Sequence, residues 1–207
     1  MISTGLNKHT VPQLNGLVLA GGKSVRMGQD KGSTSWHGKE QRYHMADLLT
    51  TFCENIFISC RPEQQPEISS DYETLPDTVI EAGPYGAILS AFEQRQDVAW
   101  LVIACDLPLM DKDTIAYLIA NRNSETLATT FESPHDGLPE PLITIWEPQS
   151  YAVLRSFRQE GYSCPRKVLI NSAPTILKPQ NPAALMNVNT PEDAILTREI
   201  LHKRTVV

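Results

Sequence analysis

The chain has 207 residues, 41% of them hydrophobic and 20% charged, with a formal net charge of −6. That length and balance allow one sizeable core and exclude a disordered chain; the acidic excess argues against broad nucleic-acid binding but leaves room for a local cationic loop that holds a nucleotide. No apolar run approaches the roughly 18 residues of a membrane span and the first residues lack a long apolar core, so neither membrane contact nor a signal peptide is expected, and the cytoplasm is the default compartment.

One domain is expected over 1–207, with a polar and loose start over 1–13. Residues 17–20 read as a buried strand, a short apolar run that stops at Gly21-Gly22. Two adjacent glycines let the backbone turn sharply and approach a ligand with its N–H groups outward. Lys23, Arg26 and Lys31 follow along one short segment, and oriented amides beside Lys and Arg stabilise a polyphosphate. The segment is not a P-loop, because Leu17 stands where that motif needs glycine. It is not the dinucleotide fingerprint either, because the next glycine after Gly22 is Gly28. Solvated cations on an ordinary strand-to-loop turn are the other reading of the same residues.

Gly38-Lys39 begins a new unit, and 43–52 places Met45, Leu48, Leu49 and Phe52 at helical spacing. Ile56–Cys60 is a second apolar strand, and 61–72, with two prolines, is a surface loop. Gly83-Pro84-Tyr85-Gly86 punctuates the chain before a helix over 87–94. The most apolar strand, 100–105, is expected at the centre, followed by a helix over 113–120 and strands over 127–131 and 142–146. Ser150–Gln159 and 191–202 read as helices, while 122–141 and 164–185 are less regular. Strands alternating with helices predict an α/β fold, a mostly parallel sheet with helices on both faces. None of Cys53, Cys60, Cys105 and Cys164 stands in a C-x-x-C pair, and only His9, His37, His44, His135 and His202 could complete a metal site, so no structural zinc is expected. Cys60 and Cys105 end apolar runs and are expected to be buried thiols.

Asp106 sits just beyond the central strand, where open α/β sheets bind ligands. A carboxylate there can hold Mg²⁺, which takes one or two carboxylates and shares phosphate oxygens; it can equally cap the following turn. Asp77, in Leu75-Pro76-Asp77-Thr78, could form a turn or face a ligand. Thr190 as N-cap, Pro191 at the first helical position and Glu192-Asp193 behind them account for a helix start, leaving Asn187 and Asn189 unexplained. Arg166 and Lys167 follow Pro165 and read as a solvated helix start, and Glu140 as a surface acid, unless both line an anion site.

The run Leu19-Ala20-Gly21-Gly22-Lys23-Ser24-Val25-Arg26-Met27-Gly28-Gln29-Asp30-Lys31 resembles the L-A-G-G-x-S-x-R-M-G-x-D-K signature of nucleotidyltransferases, and within them the molybdenum cofactor guanylyltransferases. The resemblance extends to Cys105-Asp106-Leu107-Pro108, Asp77, Gly83 and Asn187-Val188-Asn189-Thr190-Pro191-Glu192. It implies a Rossmann-like nucleotidyltransferase fold with its acceptor half formed by the later strands. It also implies GMP transfer from GTP to the phosphate of molybdopterin, with Mg²⁺ as cofactor. Arg26, Lys31 and Asp106 would be catalytic, with Asp106 on the metal. Leu19, Ala20, Gly21, Gly22, Lys31, Ser59, Asp77, Gly83, Asp106, Asn187 and Asn189 would hold nucleotide, phosphates or acceptor. Transient contact with molybdoenzymes or cofactor-handling proteins is implied as well. Lys23 occupies a variable position of the signature.

Two departures stand out. Ser59 falls where the pattern has a nucleotide-contacting asparagine and can keep one hydrogen bond, not both amide functions. Ala87 replaces the second glycine of G-P-L-x-G, with Gly86 just before it; Gly83 is therefore the residue carried over for close backbone approach, and Gly86 reads equally as part of a loop entering a helix. Other readings are the cytidylyltransferase of the same cofactor, whose L-A-A-G differs at Gly21, a sugar-1-phosphate nucleotidyltransferase, and a non-catalytic nucleotide or molybdopterin carrier. An intact Arg26, Lys31 and Asp106 argues against a carrier.

Overall fold

The computed structural model describes residues 11–22, 31–80 and 82–205. In chain order the strands and helices are β1 (Leu14–Leu19), α1 (Gln41–Leu49), β2 (Ile56–Cys60), β3 (Thr74–Pro76), α2 (Gly83–Gln94) and β4 (Ala99–Ala104). They continue with α3 (Lys112–Ala120), β5 (Ala128–Glu132), β6 (Pro139–Trp146), α4 (Ser150–Gln159), α5 (Pro165–Asn171), β7 (Thr175–Leu177) and α6 (Pro191–Thr205). The strands form one sheet in the order β3-β2-β1-β4-β6-β5-β7. Only β6 runs against its neighbours; β1 pairs parallel with both β2 and β4. The mostly parallel α/β sheet expected from the sequence is therefore the fold observed, with β4 at its middle.

Alternation along β4 explains the two packed faces. Leu101 and Ile103 face a core that contains Met45 and Leu49 of α1 and Ile115 and Leu118 of α3. Trp100 and Val102 face a second core with Tyr85, Ile88 and Phe92 of α2, Leu154 of α4 and Val168 of α5. All six residues of β4 are buried, as a strand covered on both faces must be. Each fully buried large apolar side chain contributes roughly 1.5–3 kcal/mol, so the cores fix the strand ends that carry the polar residues.

Several boundaries differ from the sequence expectation, each for a local reason. β1 begins three residues early because Asn15 is buried with its amide oxygen accepting from Asn55 Nδ2 at 3.1 Å, and Gly16 admits Leu49, whose Cδ1 would stand 2.8 Å from a Cβ there. The surface loop 61–72 contains a 3₁₀ helix, Pro62–Glu67, and the three-residue β3 beyond it ends in proline. α2 starts at Gly83 rather than Ala87, with Pro84 supplying a preset φ in the first turn. The less regular stretch 164–185 holds α5 and β7. α6 starts as expected: Asp193 N–H donates to Thr190 Oγ1 at 3.1 Å, and Asp193 Oδ2 accepts from Thr190 N at 2.9 Å, a reciprocal cap. No helix among the described residues is long and apolar enough to cross a membrane.

Candidate active site

The parallel register brings Leu19 of β1 level with Ser59 of β2 and Ala104 of β4. Their carboxyl ends flank the point where the strand order reverses, with β2 on one side of β1 and β4 on the other, which is where open α/β sheets leave a crevice. A cavity of about 860 Å³ opens there. Leu19, Ala20, Gly21, Gly22, Ser59, Asp77, Gly83 and Asp106 all line it, together with Gly32, Arg61, Ala87 and Leu142. Residues more than eighty apart in sequence thus meet because three parallel strands end together.

The turn after β1 is held from both sides. Ala20 N donates to Ser59 O at 2.9 Å, and Cys105 N donates to Leu19 O at 3.3 Å. Arg61, the first residue after β2, donates from Nη1 to Gly21 O at 2.5 Å and from Nε to Glu63 Oε1 at 2.8 Å. A Cβ at Gly21 would stand 3.4 Å from both Arg61 N and Asp77 Oδ2. A methyl group at Gly21 would thus lie in ordinary contact with the Asp77 carboxylate and the Arg61 amide.

β3 pairs with β2 so that Cys60 lies opposite Pro76, which delivers Asp77 beside Ser59. Ser59 is buried, and its Oγ donates to Asp77 Oδ1 at 2.7 Å. That bond orients the Asp77 carboxylate, and the Ser59 oxygen keeps lone pairs that can still accept from a ligand in the cavity it lines. Burial pushes the Asp77 carboxyl up to about 6, against the hydrogen bond from Ser59 and the Arg61 charge, which both pull it down.

Gly83 lines the cavity with φ +52° and open space where a Cβ would be. At Gly86 a Cβ would stand 2.2 Å from Val79 O, so that glycine is needed for packing α2 against the chain after β3.

Asp106 follows β4 at the cavity edge. Its carbonyl accepts from Val188 N at 2.9 Å, which sets Asn187 and Asn189 on either side of that bond. Neither asparagine lines the cavity. Asn187 Oδ1 is buried without a hydrogen-bond partner among the described residues, and Asn189 N donates to Asp193 Oδ2 at 3.0 Å. A carboxylate at a strand end suits a hard cation that draws its other ligands from phosphate and water.

Two charges read from the sequence as surface groups unless they line an anion site are paired with each other, one of them buried. Arg166, in the first turn of α5, donates from Nη1 to Asp136 Oδ2 at 2.8 Å and from Nη2 to Glu140 Oε2 at 3.0 Å. Glu140 is buried, and desolvation raises its carboxyl while Arg166 opposes that; the Asp106 charge lies near enough to add to the rise. Because β6 runs against β4, its first residues return to the carboxyl end of β4, beside Asp106. Lys23 and Arg26 lie outside the described residues. Lys31 opens the 3₁₀ helix Lys31–Ser33 next to the cavity-lining Gly32, and its side chain lies outside the described part. Arg61 is the lining residue that sequence reasoning missed; the available signal was a cation directly after the carboxyl end of an apolar strand.

Comparison with known proteins gives one family profile, the MobA-like NTP transferase domain, which matches residues 16–175. A molybdenum cofactor biosynthesis bifunctional protein from Synechocystis is 36% identical over 87% of the chain, which spans about half (52%) of that longer relative. A molybdenum cofactor guanylyltransferase from Pseudomonas fluorescens is 28% identical over 88% of the chain and 92% of its own length. Among solved structures, molybdopterin-guanine dinucleotide biosynthesis protein A from Archaeoglobus fulgidus superposes with a TM-score of 0.75 at 23% identity, covering 91% of this chain and 99% of that one. At that identity the superposition speaks for the fold.

Proposed function

We propose a reaction for a chain that belongs to the MobA-like NTP transferase family: it transfers GMP from GTP to the terminal phosphate of molybdenum-loaded molybdopterin and releases pyrophosphate. The observation that carries this is the convergence of the Leu19–Gly22 turn, Asp77 and Asp106 on one cavity at the ends of β1, β2 and β4. The guanylyltransferase names of the relatives support the same reading.

An oxygen of the acceptor phosphate attacks the α-phosphorus of GTP, and the bond from that phosphorus to the β-phosphate oxygen breaks with its electron pair leaving on pyrophosphate. The attacking phosphate is already anionic, so no side chain need remove a proton. What remains for the chain is alignment and charge stabilisation. The amides of the Gly21-Gly22 turn face the phosphates, and Lys31 and Arg26 of the signature neutralise charge on the leaving group. Asp106 would hold Mg²⁺, which when bound orients the phosphates and offsets their charge. Arg166, already split between two carboxylates, stands on the acceptor side and can turn toward an anionic pterin phosphate.

Gly21, which stands where the cytidylyltransferase signature has alanine, lies beside Asp77 Oδ2 and Arg61 N and is the residue we read as favouring guanine over cytosine. The cytoplasm is the proposed site of action, with the product passed to molybdoenzymes or cofactor-handling proteins by transient contact. Pyrophosphate release measured with each of the four NTPs, with and without loaded molybdopterin, tests the reading. GTP with acceptor should be fastest. Faster release with CTP would make the chain a cytidylyltransferase, and acceptor-independent rates would remove molybdopterin from the reaction.

A further inference from the structure

We propose that Arg61 is a specificity-determining residue: its guanidinium donates to the 6-oxo group of guanine while Asp77 accepts from N1–H and the 2-amino group. The inference rests on the reading of the cavity as a GTP site and adds to it the residue that fixes the base.

Three observations meet at Gly21. Arg61 Nη1 is anchored on the Gly21 carbonyl at 2.5 Å, and Asp77 Oδ2 lies 3.4 Å from where a Gly21 Cβ would stand. Arg61 and Asp77 both line the cavity and feel each other's charge. Ser59 holds Asp77 Oδ1 from behind, and Glu63, which lines the same cavity, accepts from Arg61 Nε, so each group is oriented by a neighbour. The Arg61 side chain is 28% exposed, half-buried rather than waving in solvent. A guanidinium has five N–H donors and an ionised carboxylate only acceptors. After the Gly21 and Glu63 contacts, Arg61 Nη2 has no acceptor among the described residues. The cavity therefore presents a fixed donor next to a fixed acceptor.

That polarity matches one kind of base edge. Guanine places an acceptor, O6, beside a donor, N1–H, with a second donor at the 2-amino group. Adenine and cytosine reverse the order, an amino donor beside a ring-nitrogen acceptor, so both would set donor against donor and acceptor against acceptor. Uracil shares the order of guanine but lacks the 2-amino group and the second ring. A site built to pair with polar groups rejects analogues that leave those groups unmatched.

The test uses the full chain with GTP and with 2-aminopurine riboside triphosphate, which keeps the 2-amino group but has no 6-oxo group. Arg61→Ala should lower kcat/KM for GTP roughly 10- to 100-fold, the usual worth of a good base contact, through KM, with kcat within threefold. The same variant should change kcat/KM for the 2-aminopurine nucleotide by less than threefold and should narrow the preference for GTP over ATP and CTP. Arg61→Lys, which keeps the charge, should fall between the two and provides a second variant should alanine lower the yield of folded protein. Equal losses with both nucleotides would mean that Arg61 only props the Gly21 carbonyl, and would overturn the proposal. An unaltered GTP preference in Arg61→Ala would overturn it too. If the unmodified chain prefers CTP, the GTP reading itself fails, and that result precedes any variant.

Discussion

In the half of the sheet formed by β1, β2 and β3, the cavity walls come from turns that directly follow strands: Gly21-Gly22 after β1, Arg61 after β2, Asp77 after β3. In the other half, Asp136, Glu140 and Arg166 come from a hairpin and from a helix 26 residues beyond Glu140, and meet as a paired cluster. The first half presents backbone N–H groups and glycines, suited to a ligand whose phosphates and base recur across many acceptors. In the second half the charges are already engaged with one another, Arg166 with Asp136 and Glu140. On the proposed reading, the contrast separates a nucleotide site built from strand-end turns from an acceptor site whose cation must exchange partners to bind an anion.

The sharpest break in that comparison is Asp106, which borders both halves. Asp106→Ala should nearly abolish turnover, on the order of a thousandfold or more, because the phosphates lose their metal anchor, while circular dichroism and thermal unfolding remain close to the unmodified protein. Near-normal turnover at ordinary Mg²⁺ would remove Asp106 from the mechanism.

Next is Lys31. A cation beside the leaving group helps the transition state more than bound GTP, so Lys31→Ala should reduce single-turnover rate by roughly a hundred- to a thousandfold, or about 3–4 kcal/mol. Calorimetric GTP affinity should change far less. Lys23→Ala, at a variable position of the signature, should cost under tenfold in rate; a larger loss there than at Lys31 would reverse the assignment.

The acceptor half responds differently. Arg166→Ala should raise the KM for loaded molybdopterin about tenfold while leaving the KM for GTP within twofold. It should also destabilise the fold by roughly 1–2 kcal/mol, because Glu140 stays buried without its cation; the half-exposed Arg166 keeps that figure small. Equal effects on both substrates would contradict the division of the site.

The smallest expected effect is a pH dependence. The Asp77 carboxyl rises from an ordinary 3.8 to about 6, chiefly through burial. Folded protein therefore holds this proton more tightly than the unfolded chain: the stabilisation is fully present below about pH 4 and is lost as pH rises through about 6. On the proposed contact, base recognition runs the other way, since the ionised carboxylate accepts from both guanine N–H groups whereas protonation turns one of its oxygens into a donor. GTP affinity should fall severalfold between pH 7 and pH 5.5 beyond whatever Asp77→Asn shows over the same range, the variant correcting for titration of the nucleotide. Parallel profiles in the two proteins would separate Asp77 from the base.

The strand-end turns at the cavity were legible in sequence because their parts are local. A strand ending in Gly21-Gly22 and an apolar run ending at Asp106 each carry their geometry within a few residues. The acceptor half was not. Nothing around Glu140 shows that Arg166 will cover it, because the pairing follows from the antiparallel return of β6 and the docking of α5. The same limit applies to Ser59, whose hydroxyl is claimed by Asp77 only once β3 pairs with β2, and β3 is too short to announce itself. At Gly86 the sequence left a loop entering a helix open beside close approach, and the contact with Val79 O makes that glycine a packing requirement, while Gly83 lines the cavity.

The central claim is nucleotidyl transfer, and label position tests it most directly. The protein would be incubated with loaded molybdopterin and Mg²⁺, using GTP labelled in one arm at the α-phosphate and in the other at the γ-phosphate. The account predicts α-label on the pterin product and γ-label in pyrophosphate, in equal amounts. Transfer of γ-label to the pterin, or release of α-label as free GMP with the pterin unlabelled, would contradict it.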